Sequence, residues 1–248
     1  MAAKGNDRAR PAPARGPLRR LWRGFWKLLA LVILLILGYE ASVYGRVWWW
    51  KDHNPGVTSI MEQRREVLRE KNPKANITQT WVAYGRISSH LKQAVIAAED
   101  SGFVDHDGFD WEGIEKAYEK NRKKGKIVAG GSTITQQLAK NLFLSGERSY
   151  VRKGQEAAIT WMLENRMEKD RILEIYLNVV EWGNGIFGAE AAARHYFGIS
   201  AAQLSREQAA KLAAMLPNPR FYDRNRYAPY LMRRTGLIMA RMNQVETP

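Results

Sequence analysis

Residues Leu28 to Gly45 read LLALVILLILGYEASVYG, a run in which Glu40 is the only charged residue. Roughly 20 apolar residues in a helix cross the hydrocarbon core of a bilayer, so this run predicts a membrane span with a slight tilt. Phe25 and Trp26 precede it, and Tyr44 and Trp48 to Trp50 follow, as amphipathic rings do at both edges of a membrane. A cleaved signal peptide fits less well, because no small-x-small cleavage site follows the run cleanly. Glu40 lies close enough to the far edge to reach polar headgroups. The predicted organisation is a basic tail over 1–27, a transmembrane helix over 28–45 and one outer domain over 46–248.

Charge sets the orientation. The first 27 residues hold eight Lys or Arg against Asp7, a net of +7 and half of the formal +14 of the chain. With Pro11, Pro13 and Pro17, and no apolar period, they read as a disordered tail. By the positive-inside rule this tail stays in the cytoplasm and the domain lies outside. Cysteine is absent, which excludes disulfides, thiolate metal sites and thiol nucleophiles. Nucleic acid is a poor partner for such a charge distribution, since half of the excess lies in the tail.

The outer segment reads as mainly α. Ile60, Val67 and Leu68 predict a helix over Ser59 to Lys71, stopped by Asn72-Pro73, and Ile77 to Tyr84 predict a short extended piece. From Leu91 the period is helical: LKQAVIAAED, WEGIEKAYEKNRKK, TITQQLAKNLFL, YVRKGQEAAITWMLENRM, DRILEIYLNVV, FGAEAAARHYF, SREQAAKLAAML and a last helix from Pro229 to Gln244. Hairpin signals are scarce, and Gly183 to Gly188 reads as a loop.

Several devices are missing: no phosphate-binding GxxxxGK[ST], no GxGxxG after a strand and no HExxH. Ser89-His90-Leu91-Lys92 matches the SxxK of transpeptidases by chance, because its SDN and KTG partners are absent. Asp105-His106-Asp107 has the look of a metal clip, but no glutamate closes a calcium loop at the right spacing. These acids belong to a larger cluster. Glu99 to Glu115 hold seven carboxylates and no Lys or Arg. Glu99 ends an apolar helix, where partial desolvation raises a carboxyl pKa and makes a usable general base. Spacing alone favours the plainer reading, in which Glu99 and Asp100 solvate a helix end.

A second cluster shifts that balance. GGSTITQQLAKNLFL puts two glycines and an N-cap before a helix, with backbone N–H groups expected to face an anion. Gln136 and Lys140 share a helix face, with Gln137 beside Lys140. Arg148, Arg152, Lys153 and Glu156 follow, with Arg152 and Glu156 one turn apart. A polar, cationic groove of this kind suits a pyrophosphate.

The stretches EDSGFVDHDG, GGSTITQQLAKN, RKGQE, RILEIYLN and AAARHYFG resemble, in order, the five motifs of the family 51 glycosyltransferases, the peptidoglycan polymerases. The resemblance covers about Ala83 to Asp223. With a basic tail, one anchor and no transpeptidase part, the chain looks like a monofunctional member. One departure is the lysine often found after YFG, replaced here by Ile199 and Ser200.

This resemblance implies a lysozyme-like helical fold with a head and a smaller membrane-facing jaw, formed around Trp111 to Gly130 or just after the anchor. It implies polymerisation of lipid II into β-1,4-linked glycan with release of polyprenyl pyrophosphate, at the outer face of the inner membrane and with no nucleotide. Glu99 matches the general base. Lys140 and Arg148, with Arg152 and Lys153 near, match the groups that stabilise the pyrophosphate, and Thr133, Gln136, Gln137 and Asn141 match substrate-binding positions. Glu156 matches a second glutamate, which either holds a divalent cation (Mg or Mn) or orients the cations. His106 is implied to shape the loop, and Glu174, Tyr176, Asn178, Tyr196 and Phe197 to serve the fold. Cell-division or cell-wall-synthesis proteins are the partners such an enzyme would meet. Two rival readings stay open: a lysozyme-like hydrolase that cleaves peptidoglycan, and a membrane-anchored scaffold without turnover.

Overall fold

The computed structural model describes residues 17–126, 130–144, 146 and 149–248. The chain divides into two units after Val43. The first is dominated by helix α1 (Pro17–Trp50), which continues through the division. Its apolar stretch from Leu21 to Trp50 is 30 residues, about 45 Å at the α-helical rise and ample for a ~30 Å hydrocarbon core. Leu28, Leu31 and Ile33 to Leu37 are between 47% and 65% exposed within the chain, as lipid-facing side chains are. The helix begins within the segment expected to be a disordered tail. Pro17 suits a first-turn position, and Leu21, Trp22, Phe25 and Trp26 recur at helical spacing, with the Trp22 and Trp26 rings 5.7 Å apart.

The second unit starts at Tyr44 and is mostly helical. Its elements are α2 (Ser59–Lys71), β1 (Thr78–Gln79), α3 (Ser89–Glu99), α4 (Trp111–Lys124), α5 (Ile134–Phe143), α6 (Tyr150–Glu164) and α7 (Lys169–Val179). Then come β2 (Glu181–Gly183), β3 (Ile186–Phe187), α8 (Ala189–Phe197), α9 (Arg206–Met215), α10 (Pro219–Arg224) and α11 (Pro229–Arg241). The end of α1 is packed into this unit: Val47 is buried, Trp50 lies 5.2 Å from Phe143, and Arg171 donates to the Trp50 carbonyl at 2.9 Å. Trp48 and Trp49 remain exposed.

Two helical groups make the core. In one, α5 packs on α2, α6 and α7; in the other, α3 packs on α9 and α11. Helix α7 is the buried axis of the first, with Ile172, Leu173, Ile175, Tyr176 and Leu177 fully enclosed. Each such Leu or Ile contributes ~1.5–3 kcal/mol of burial. Helices α3 and α9 pack on each other, and both bury small side chains, Ala94 and Ala97 on α3 and Ala209, Ala210, Ala213 and Ala214 on α9, which suits a close approach. Helix α4 contrasts with both groups, burying Ala117 alone among its 14 residues.

The expected loop at Gly183 to Gly188 is instead a hairpin. β3 pairs antiparallel with β2 and parallel with β1, giving the order β1-β3-β2. Asn184-Gly185 is its two-residue turn, with Gly185 at φ +80, a conformation that favours glycine. Strands of two and three residues are too short to display a period of two. Their register is irregular as well, with a bulge between Glu181 and Gly183.

Candidate active site

Glu99 closes α3 at the junction of the two helical groups, and its side chain is 13% exposed. Gln137 on α5 donates from Nε2 to Glu99 Oε2 at 3.0 Å, while Arg234 on α11 donates to Oε1 at 3.3 Å. The amide of Gln137 is itself oriented, because its Oε1 accepts the Tyr176 hydroxyl at 3.0 Å. Burial raises the pKa of Glu99; Gln137, Arg234 and Lys140 pull it down and Asp100 adds to the rise, leaving it above the ordinary carboxylate range. The result is an acid held by donors yet reluctant to stay charged.

Asp100, one residue on, is spent differently. Its Oδ1 accepts His106 Nε2 at 2.9 Å and its Oδ2 accepts the Ile134 N–H at 2.9 Å. The Gly108 N–H points at His106 Nδ1, 3.2 Å away, which assigns the ring proton to Nε2 and so to Asp100. Gly108 sits at φ +82, and a Cβ there would lie 2.7 Å from Thr160 Cγ2, so only glycine fits. His106 thus shapes the loop, as the resemblance implied. Asp105 and Asp107 are exposed while His106 turns to Asp100, so the Asp105-His106-Asp107 trio does not converge on a metal.

The start of α5 corrects a further expectation. Its free N–H groups were to face an incoming anion, but the chain fills that place itself. The Ile134 N–H is taken by Asp100, and Thr133 and Gln136 close a capping box, with Thr133 N–H to Gln136 Oε1 at 3.1 Å and Gln136 N–H to Thr133 Oγ1 at 3.2 Å. Thr133 Oγ1 also donates to the Gly108 carbonyl at 2.8 Å. Thr133 and Gln136, matched as substrate-binding positions, are therefore buried and engaged in holding the turn.

Lys140 and Asn141 follow on the same helix, with Asn141 mostly buried. Burial pulls the Lys140 pKa down; Glu156 and Glu99 push it up, and Arg152 and Lys153 lower it further. One ammonium thus feels both glutamates. Among the described residues it makes no hydrogen bond or ion pair of its own, which leaves its donors available. On α6, Glu156 is 4% exposed and sits between two cations: Arg152 donates to its Oε2 at 2.9 Å and Lys153 pairs with its Oε1. Arg148 lies outside the described residues.

Two clefts share the wall formed by Gly131 and Ser132. One, of about 210 Å³, is lined by Glu99, Ser101, Asp110, Ser132 and Arg241. The other, of about 320 Å³, is lined by Ile114, Tyr118, Gln136 and Lys153. The Glu99 carboxylate and the Lys153 ammonium therefore line neighbouring spaces on either side of that wall.

A transglycosylase family model matches residues 64–243. The chain is 62% identical over 224 residues to a biosynthetic peptidoglycan transglycosylase of Janthinobacterium sp. (strain Marseille), covering 90% of this chain and 96% of that protein. It is likewise 62% identical over 224 residues to one from Herminiimonas arsenicoxydans, with the same coverage, and 61% identical over 227 residues to one from Dechloromonas aromatica, covering 91% and 98%. The chain belongs to the transglycosylase family. The expected fold class follows with it: a lysozyme-like helical transglycosylase domain, with one N-terminal helix long and apolar enough to span a membrane.

Within the transglycosylase domain, reading the sequence missed two residues that touch the site. Arg234 is 135 positions from Glu99, in a helix with no motif around it. Tyr176 lies in the fourth motif and is fully buried, as a fold residue would be, yet its hydroxyl sets the Gln137 amide. Glu174, Asn178 and Tyr196 do serve the fold, pairing with Arg171, Val82 and the Trp182 carbonyl. Both Glu156 oxygens are engaged by cations, so the carboxylate as it stands orients Arg152 and Lys153.

Proposed function

We propose that this protein is a peptidoglycan glycosyltransferase that polymerises lipid II into β-1,4-linked glycan chains. The observation that carries the reading is the pairing of a desolvated Glu99 with a neighbouring cation cluster through Lys140. Glu99 takes the proton from the acceptor 4-hydroxyl as that oxygen attacks the anomeric carbon of the donor. The bond from that carbon to the pyrophosphate breaks, and its electrons leave on the pyrophosphate oxygen. Lys140, Arg152 and Lys153, together with Arg148 by its family match, meet that charge, which is larger in the transition state than in the ground state. Gln137 and Arg234 fix which way the carboxylate faces. Glu156 holds the cations in place.

Hydrolysis is less well supported. A hydrolase needs two carboxylates working on the glycosidic bond. Asp100, the nearest second acid in sequence, has both oxygens engaged, by His106 and by the Ile134 N–H. The basic N-terminus supports an inner-membrane, single-pass topology with the catalytic domain in the periplasm.

The test is incubation of the full chain with lipid II in detergent, with and without chelator, and separately with finished sacculi. Glycan polymer from lipid II, lost in Glu99→Gln, is expected, and the chelator arm reads whether Glu156 orients the cations alone or with a divalent ion. Soluble muropeptides from sacculi without polymer would replace the transferase by a hydrolase. Lipid binding without turnover in the wild type would leave a scaffold.

A further inference from the structure

A cavity of about 580 Å³ opens between α2, the Asn184-Gly185 turn and α10, and none of the residues around Glu99 or Glu156 line it. Arg64 and Lys71 enter it from one face of α2, and Arg220 and Arg224 from α10, with the Asn184 and Asn218 amides beside them. The acids nearby are committed to the wall. Glu181 pairs with Arg64 at 3.2 Å, lies 3.8 Å from Arg220 and accepts the Gly185 N–H at 3.2 Å. Asp223 accepts the Asn184 N–H at 3.1 Å and pairs with His195 at 3.1 Å and Arg226 at 3.2 Å.

Among the described residues, Lys71 and Arg224 are left with no acidic partner. Arg64 and Arg220 share the single Glu181 carboxylate, at 3.2 and 3.8 Å, so four cations line the cavity against fewer committed acids and it keeps an excess of positive charge. An anion bound beside Lys71 and Arg224 would balance that excess. Guanidinium forks, an ammonium and two amides approaching from different sides match the several oxygens of a phosphate better than the two of a carboxylate. Tyr222 points the other way from α10, inward, within electrostatic reach of Arg234. The helix therefore separates this cavity from the Glu99 clamp.

We propose that this cavity is a second anion site, which binds the phosphate groups of either an anionic lipid headgroup or a soluble pyrophosphate. It stands independently of the transferase reading. The test follows the amine reactivity of Lys71 by mass spectrometry, in the full chain held in neutral phosphatidylcholine nanodiscs. Inorganic pyrophosphate is added in one arm, and phosphatidylglycerol is built into the nanodiscs in the other. At a probe concentration above twice its Kd, Lys71 labelling slows by about threefold or more. Protection by pyrophosphate assigns the soluble source, and protection by phosphatidylglycerol the lipid. Arg220→Glu combined with Arg224→Glu, both on the surface helix, weakens that protection by roughly tenfold or more while the circular dichroism stays unchanged. Lys123 on α4 labels at a constant rate throughout. Lys71 labelling that neither probe slows overturns the proposal. So does slowing that is equal at Lys123 and indifferent to the double variant.

Discussion

Glu99 and Glu156 are the same residue type and both largely buried, yet their surroundings differ sharply. Glu156 has a cationic side chain against each oxygen, Arg152 on one and Lys153 on the other. Glu99 has one neutral amide and one longer contact to a guanidinium, so burial outweighs its partners and favours the protonated form. The difference teaches that desolvation alone does not make a base. What matters is desolvation without a cation close enough to cancel it, and with Lys140 shared between the two glutamates the contrast is kept within one site.

The largest effect should come from Glu99→Gln, with polymerisation falling by ~10²–10⁴-fold in a lipid II assay. The same variant tests the electrostatics. A carboxyl whose folded pKa lies above its unfolded value loses native stability as pH rises between the two. Glu99→Gln is therefore expected to match or exceed the wild-type melting temperature at pH 7, with the gap closing as the pH falls towards 4. A clear drop at pH 7 would mean that Glu99 is anchored as Glu156 is, and the contrast would be lost.

Lys140→Ala comes next, with a loss of ~10²–10³-fold in kcat and the acid limb of the pH–rate profile retained but moved to higher pH, because the base stays while a charge that lowers its pKa is lost. Disappearance of that limb would show Lys140 acting through Glu99 alone. Glu156→Gln should cost about tenfold in turnover and ~1–3 kcal/mol of stability in denaturant unfolding, since Arg152 and Lys153 lose a buried partner but are themselves partly exposed. Its acid limb should also survive, and that is what separates the two glutamates. Arg234→Ala removes a charge that favours the carboxylate, so the acid limb moves to higher pH. Movement to lower pH would contradict the clamp. The smallest change is expected for Tyr176→Phe, which frees the Gln137 amide to turn: about a fivefold fall in kcat, with little change in melting temperature.

Local chemistry decided how much of this was legible from the sequence. Helix α2 was read with its observed ends, because the Asn72-Pro73 stop lies beside it in the chain. Glu99 was singled out through its motif, and Lys140 and Glu156 through the resemblance; the structure brings both glutamates within electrostatic reach of Lys140. The helical start of α1 was missed, because prolines and arginines masked a sparse apolar period. The hairpin at Asn184-Gly185 was missed because its strands are shorter than any pattern they could show. The start of α5 was misread for a different reason. A helix N-terminus looks like an anion site whatever its occupant, and its occupant here is the side chain of Asp100, 34 positions upstream. Arg234 left no local trace. Its role comes from packing α11 against α3, a relation between distant segments with no spacing rule.

The clamp on Glu99 draws on α3, α5, α7 and α11, hence on residues from 99 to 234. A nascent chain lacking its last helix would carry at this position an ordinary acid with one of its two donors missing. The proton affinity of Glu99 is therefore set only when the final segment docks, so a half-made copy holds the carboxyl without the charge that α11 brings to it.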